Sequence, residues 1–137
     1  MRADLHSVPL LARATLTMCA TAIAIRLLPP SLWRRFMRAT RAGAAATHRA
    51  PSISDILRAV NRASRIIPGG QNCLVRAFTA RVLMARAGLD AQLTLGVSKT
   101  EGGDFEAHAW LQHQGRVLIG EGTVERYAPL PDLKNRW

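Results

Sequence analysis

GGQNCLVRAFTARVLMARAG, residues 69–88, places a cysteine where a glycine-rich turn becomes a helix. The spacing predicts a helix from about Asn72 to Ala87, with Gly88 where a C-terminal glycine cap belongs. Apolar residues lie nearly all round it, so it is expected to be buried. Upstream, SISDILRAVNRASRII starts with Ser52 three residues before Asp55, a variant of the capping box. Ile53, Ile56, Leu57, Val60, Ala63 and Ile67 then recur at helical spacing until Pro68, Gly69 and Gly70 end the segment.

Downstream of Gly88 the hydrophobic period changes from helical to two. AQLTLGVS alternates Leu93, Leu95 and Val97 with other residues, FEAHAWLQH alternates Phe105, Ala107, Ala109 and Leu111, and RVLIG is a short apolar run. Three strands therefore follow the helices. KTEGGD, residues 99–104, is expected to be a flexible loop, and HQGR, residues 113–116, a tight hairpin turn with Gly115 at positive φ. The fold class is α+β: helices, then a small antiparallel sheet.

The chain of 137 residues is long enough for one ordinary domain and too short for two. AGAAATHRAPS, residues 42–52, is small, polar and interrupted by Pro51, and reads as a linker. It divides a basic helical N-terminal segment, residues 1–50, from the domain proper, residues 51–137. Within the first segment, Leu11, Ala14, Met18, Ala22 and Ile25 line one face of a helix that packs on the domain. Pro29 and Pro30 stop it, and Ser31 caps a short basic helix whose Leu32, Trp33, Phe36 and Met37 pack against the body. The uncharged stretch between Arg13 and Arg26 is twelve residues, short of the ~20 needed to span a bilayer. AIA at 22–24 resembles a cleavage site, but the charged lead-in is thin and more apolar and basic sequence follows at once, which argues against secretion.

The formal charge of +10 is unevenly placed: residues 1–50 hold eight arginines against the single acid Asp4. Such a segment suits a peripheral contact with an anionic membrane or a docking surface for an acidic partner. With one tyrosine and no aromatic ladder among the arginines, nucleic acid is the weaker reading. Only Cys19 and Cys73 occur, so no disulfide framework is expected and a reduced, cytoplasmic compartment is favoured.

A helix N-terminus favours the thiolate, the form in which cysteine attacks, and its backbone N–H groups can hold an oxyanion. Cys73 stands at such a position, and Gln71 just before it is a further candidate oxyanion donor. His108, on the second strand, is the candidate base. Counting back from a two-residue turn at Gln114 and Gly115 pairs His113 with Arg116, Leu111 with Leu118, Trp110 with Ile119 and His108 with Glu121. Glu121 would then orient the imidazole, completing a Cys-His-acid triad. A one-residue bulge would turn it to the other face. His6, His48 and His113 lie in expected tails, linkers or turns, and Cys73 with His108 has no second ligand pair, so neither a metal nor any other cofactor is expected.

The order NCLVRAFTARVLMARAGLDAQLTLGV, FEAHAWLQHQGRVLIGEG, ERYAPL resembles the transglutaminase-like cysteine peptidases that remove leader peptides in lasso-peptide biosynthesis. The resemblance covers roughly residues 52–130 and rests on C-L-x-R-A, L-x-x-x-G, A-x-L-x-x-G-V and F-x-A-H-A-W. It implies a papain-like core with Cys73 as nucleophile on the central helix, His108 as general base and then acid, and a carboxylate after the GRVLI strand as orienter. That family usually has Asp near the last position, where this chain has Glu121; Asp104 is a reserve. The resemblance also implies a precursor peptide as substrate, a separate winged-helix leader-binding protein as partner, and an ATP-dependent macrocyclase downstream. Two other readings stand beside it: a transglutaminase-like acyltransferase, and a non-catalytic basic binding protein with an inert Cys73.

Overall fold

The computed structural model describes residues 8–29, 31, 32, 35, 51–68, 72–120 and 127–129. Three helices, α1 (Val8–Leu27), α2 (Ile53–Ile66) and α3 (Cys73–Arg86), precede four strands. These are β1 (Gln92–Lys99), β2 (Phe105–His113), β3 (Arg116–Ile119) and the two-residue β4 (Ala128–Pro129). The sheet is ordered β3-β2-β1-β4 and antiparallel at each pairing. This is the expected α+β architecture, helices followed by a small antiparallel sheet, and β4 is an addition to the three strands read from sequence.

Local chemistry sets the helix ends. Ser52 caps α2 by accepting a hydrogen bond from the Asp55 backbone N–H at 3.2 Å, while its own hydroxyl donates to the Asp55 carboxylate at 2.8 Å. Arg58 donates to the other carboxylate oxygen, so Asp55 holds the cap and the first turn together. Asn72 caps α3, its side-chain oxygen accepting from Leu74 N–H at 2.9 Å. Gly88, at φ +76°, ends α3 in a left-handed cap. Its neighbour Leu89 donates back to the Met84 carbonyl at 2.8 Å, satisfying an acceptor that the end of the helix would otherwise leave open.

Helix α3 is the centre of the packing. Every residue from Ala77 to Met84 is buried, and α3 touches α1, α2 and the first three strands. The core joins Phe78 and Met84 of α3 to Ala14 and Met18 of α1, Ile56 and Val60 of α2, and Leu93, Ala109, Leu111 and Ile119 of the sheet. The buried line of α1 follows the expected face, with Thr21 and Ala24 added to it and Leu11, Ala22 and Ile25 at its margins. Leu32, expected to pack inward, is instead exposed. Its companions Trp33, Phe36 and Met37 lie outside the described residues, as does most of the linker.

Helix α1 is longer than the uncharged count suggested. It runs through both Arg13 and Arg26, and its Leu10–Leu27 stretch is long and apolar enough to cross a membrane by length and composition. Fully buried Ala14, Met18 and Thr21 nevertheless commit one side of it to α2 and α3.

The hairpin turn is as expected, with Gln114 at φ +50° and Gly115 at φ +78° matching the twist of the flanking strands. The counted register fails beyond it. His113 pairs with Arg116 and Gln112 with Val117, but Leu111 pairs with Ile119 because a bulge absorbs Leu118. The 99–104 segment is a defined turn: Thr100 N–H donates to the Asp104 carbonyl and Gly103 N–H to the Thr100 carbonyl. Phe105 and Ala107, though in phase with Ala109 and Leu111, are exposed where β2 runs beyond the core.

Fully buried Phe78 and largely exposed Phe105 give a paired test of this core. Phe78→Ala should lower unfolding free energy by about 3–5 kcal/mol, and Phe105→Ala by at most about 0.5 kcal/mol, in urea denaturation. Equal losses would show that α3 is not the packing centre.

Candidate functional site

Cys73 is the first residue of α3, partly buried against the core, and its thiol is free. Asn72 anchors the chain immediately before it. One turn later, Arg76 reaches across to α2 and donates to the Asn61 side chain at 2.7 Å. The arginine of the C-L-x-R-A pattern thus fastens the cysteine-bearing end of α3 to its neighbour, a role that the pattern alone did not disclose.

His108 lies on β2, which packs against α3. Strand alternation puts Ala109 and Leu111 on the face that joins the common core and His108 with Trp110 on the other. On that second face the half-buried imidazole stacks on Tyr127, ring centres 5.0 Å apart and planes inclined by 25°. Trp110 continues the arrangement at 6.4 Å and the same inclination. Both aromatic residues are buried, so the ring of His108 is held between large, rigid neighbours.

Two glycines make room for this cluster. Gly96 of β1 pairs with His108, and a Cβ there would stand 2.7 Å from the Trp110 ring and 2.8 Å from Cβ of Tyr127. Gly120 follows β3 at φ +90°, and a Cβ on it would lie 2.8 Å from Cβ of Trp110 and 3.1 Å from Nε2 of His108. The short β4 pairs Gly96 with Pro129, placing Tyr127 beside the same point of the sheet. Sequence reasoning overlooked Tyr127, Gly96 and Gly120 as a group. The signals were slight: Gly96 is the glycine of A-x-L-x-x-G-V, and Tyr127 is the chain's one tyrosine.

Cys73 and His108 stand on contacting elements, but His108 belongs to the face of β2 that does not join the common core, and among the described residues no hydrogen bond joins the two side chains. Glu121 and Gln71 lie outside the described residues. The ladder count from which the His108–Glu121 pairing was read fails at Leu111, which pairs with Ile119 rather than Leu118. Asp104, the reserve carboxylate, is exposed in the 99–104 turn. His113, read as a turn residue, bonds through Nδ1 to the Asp90 carbonyl and ties β2 to the segment after α3. Among the described residues no group of three or more His, Cys, Asp or Glu is arranged to hold a metal.

A sequence model of the transglutaminase-like superfamily matches residues 15–132, spanning α1 from Thr15 onward, the cysteine helix and the whole sheet. The chain belongs to the transglutaminase-like superfamily. No curated protein and no solved structure gave a match.

Substituting Gly96 tests the aromatic cluster directly. Gly96→Ala should displace Trp110 or Tyr127, shift the near-ultraviolet circular dichroism, and destabilise the protein by about 1–3 kcal/mol. An unaltered spectrum and stability would contradict the close packing of these rings.

Proposed function

We propose that the protein is a cysteine peptidase that removes the leader from a ribosomally made lasso-peptide precursor. The observation that carries this is a thiol at the capped start of the buried central helix, with an aromatic-clamped histidine on the strand against that helix, in a transglutaminase-like chain. Resemblance of the C-L-x-R-A and F-x-A-H-A-W segments to the leader peptidases supplies the substrate class.

In this reading Cys73 Sγ attacks the carbonyl carbon of the leader–core amide, and the S–C bond forms as the C–N bond breaks. His108 takes the thiol proton and delivers it to the departing amine, leaving the leader acylated on sulfur. Water then attacks the thioester, losing a proton to His108 and restoring the thiol. Asn72 already occupies the Leu74 N–H. The Cys73 N–H and the Gln71 side chain are therefore the donors assigned to the oxyanion.

Glu121 remains the orienting carboxylate on a different footing from strand counting: it directly follows Gly120, which lies beside Nε2 of His108. The partner is a separate winged-helix protein that binds the leader, and the freed core passes to a macrocyclase, all in the cytoplasm. An acyltransferase would share the thioester and differ in its acceptor, an amine in place of water.

The test combines protein, leader-binding partner and precursor, with products read by mass spectrometry. Cys73→Ala should reduce release of the leader by at least about 1,000-fold while preserving the fold. Processing at an undiminished rate by that variant would refute the mechanism. A leader joined to an added amine, rather than a free leader carboxylate, would select acyl transfer.

A further inference from the structure

The inward side of α1 is occupied by the core, and a soluble helix of this kind normally turns a polar side outward. Helix α1 does not. Ala12, Leu16, Ala20, Ile23 and Leu27 are all exposed, following one another at intervals of three or four residues down the outer side. Leu16 is 70% exposed, Ile23 56% and Leu27 76%, and Leu32, past the end of the helix, is exposed as well. Exposed Arg13 and Arg26 flank the stripe near its two ends, and Arg35 is exposed beyond Leu32. The side of α1 that carries no core contact is thus apolar along its length and edged with cations.

We propose that this stripe is a peripheral membrane-binding surface that lies on anionic lipid. The required cover must accept leucine and isoleucine side chains at its centre and attract arginines at its margin, and the boundary between acyl chains and phosphate headgroups offers both in one plane. The surrounding sequence reinforces the match, since residues 1–50 carry eight arginines against one acid. A second copy of this chain is a poor cover, because antiparallel stripes would set Arg13 of one against Arg26 of the other. A bilayer-spanning α1 is also a poor fit, because it would strip Ala14, Met18 and Thr21 from the core in which they are fully buried. The helix therefore lies flat on the surface, with the protein body above it. This inference is independent of the chemistry assigned to Cys73.

Co-sedimentation of the full-length protein with phosphatidylglycerol-rich and with pure phosphatidylcholine vesicles tests it. Binding should require the anionic lipid and weaken as salt is raised. Leu16→Gln/Ile23→Gln/Leu27→Gln should reduce partitioning by at least roughly tenfold, and Arg13→Gln/Arg26→Gln should reduce it measurably. Unchanged thermal melting of both variants is expected, since the substituted side chains face outward. The proposal is overturned if the well-folded protein ignores anionic vesicles, if the triple variant binds as well as the parent, or if the parent is a dimer that the triple variant dissolves.

Discussion

Helix α3 buries every side chain from Ala77 to Met84, and a helix without a solvent face has to be enclosed from more than one direction. Helices α1 and α2 supply part of the enclosure, and the sheet supplies the rest. Small residues allow the approach, with Ala77 and Ala80 fully buried beside Phe78 and Met84. The same enclosure limits how far the start of the helix can shift. Asn72 closes the first turn and Arg76 pins it to Asn61, so Cys73 sits on a scaffold whose position is fixed by packing behind it and hydrogen bonds beside it.

The sheet has two chemically different sides. Its inward side carries Leu93, Ala109 and Leu111 into the common core. Its other side gathers His108, Trp110 and Tyr127 around the space left by Gly96 and Gly120. Placing an ionisable ring between flat, buried aromatic groups restricts its rotation more than a solvated strand position would. In the proposed reading His108 is the base, and that restriction would fix the direction in which it accepts and returns a proton.

Much of this architecture was legible in the chain because it depends on neighbours in sequence. Ser52 with Asp55, Asn72 before Cys73, Gly88 after Ala87, and Gln114 with Gly115 each fix a boundary through local hydrogen bonds or backbone angles. The helix and strand periods followed from burial on one side. The unread features depend on distant partners. Two residues ending in Pro129 carry no periodic pattern, so β4 was invisible, and nothing in RVLIG announces that Leu118 is skipped in pairing. Alternation also gave Phe105 and Ala107 the correct phase without showing that the core ends before them. Of the candidate site, Cys73 and His108 were legible from a helix start and a strand. Tyr127 was not, because its stacking on His108 is created only when β4 returns to Gly96.

The bulge at Leu118 makes chain length, more than side-chain identity, the sensitive variable in the third strand. Most replacements there alter a half-buried surface, whereas losing one residue would bring back an uninterrupted ladder and advance the phase of all that follows. Gly120 would then no longer arrive beside the imidazole. The hairpin thus works as a spacer with a set count, tolerant of spelling changes and intolerant of deletions.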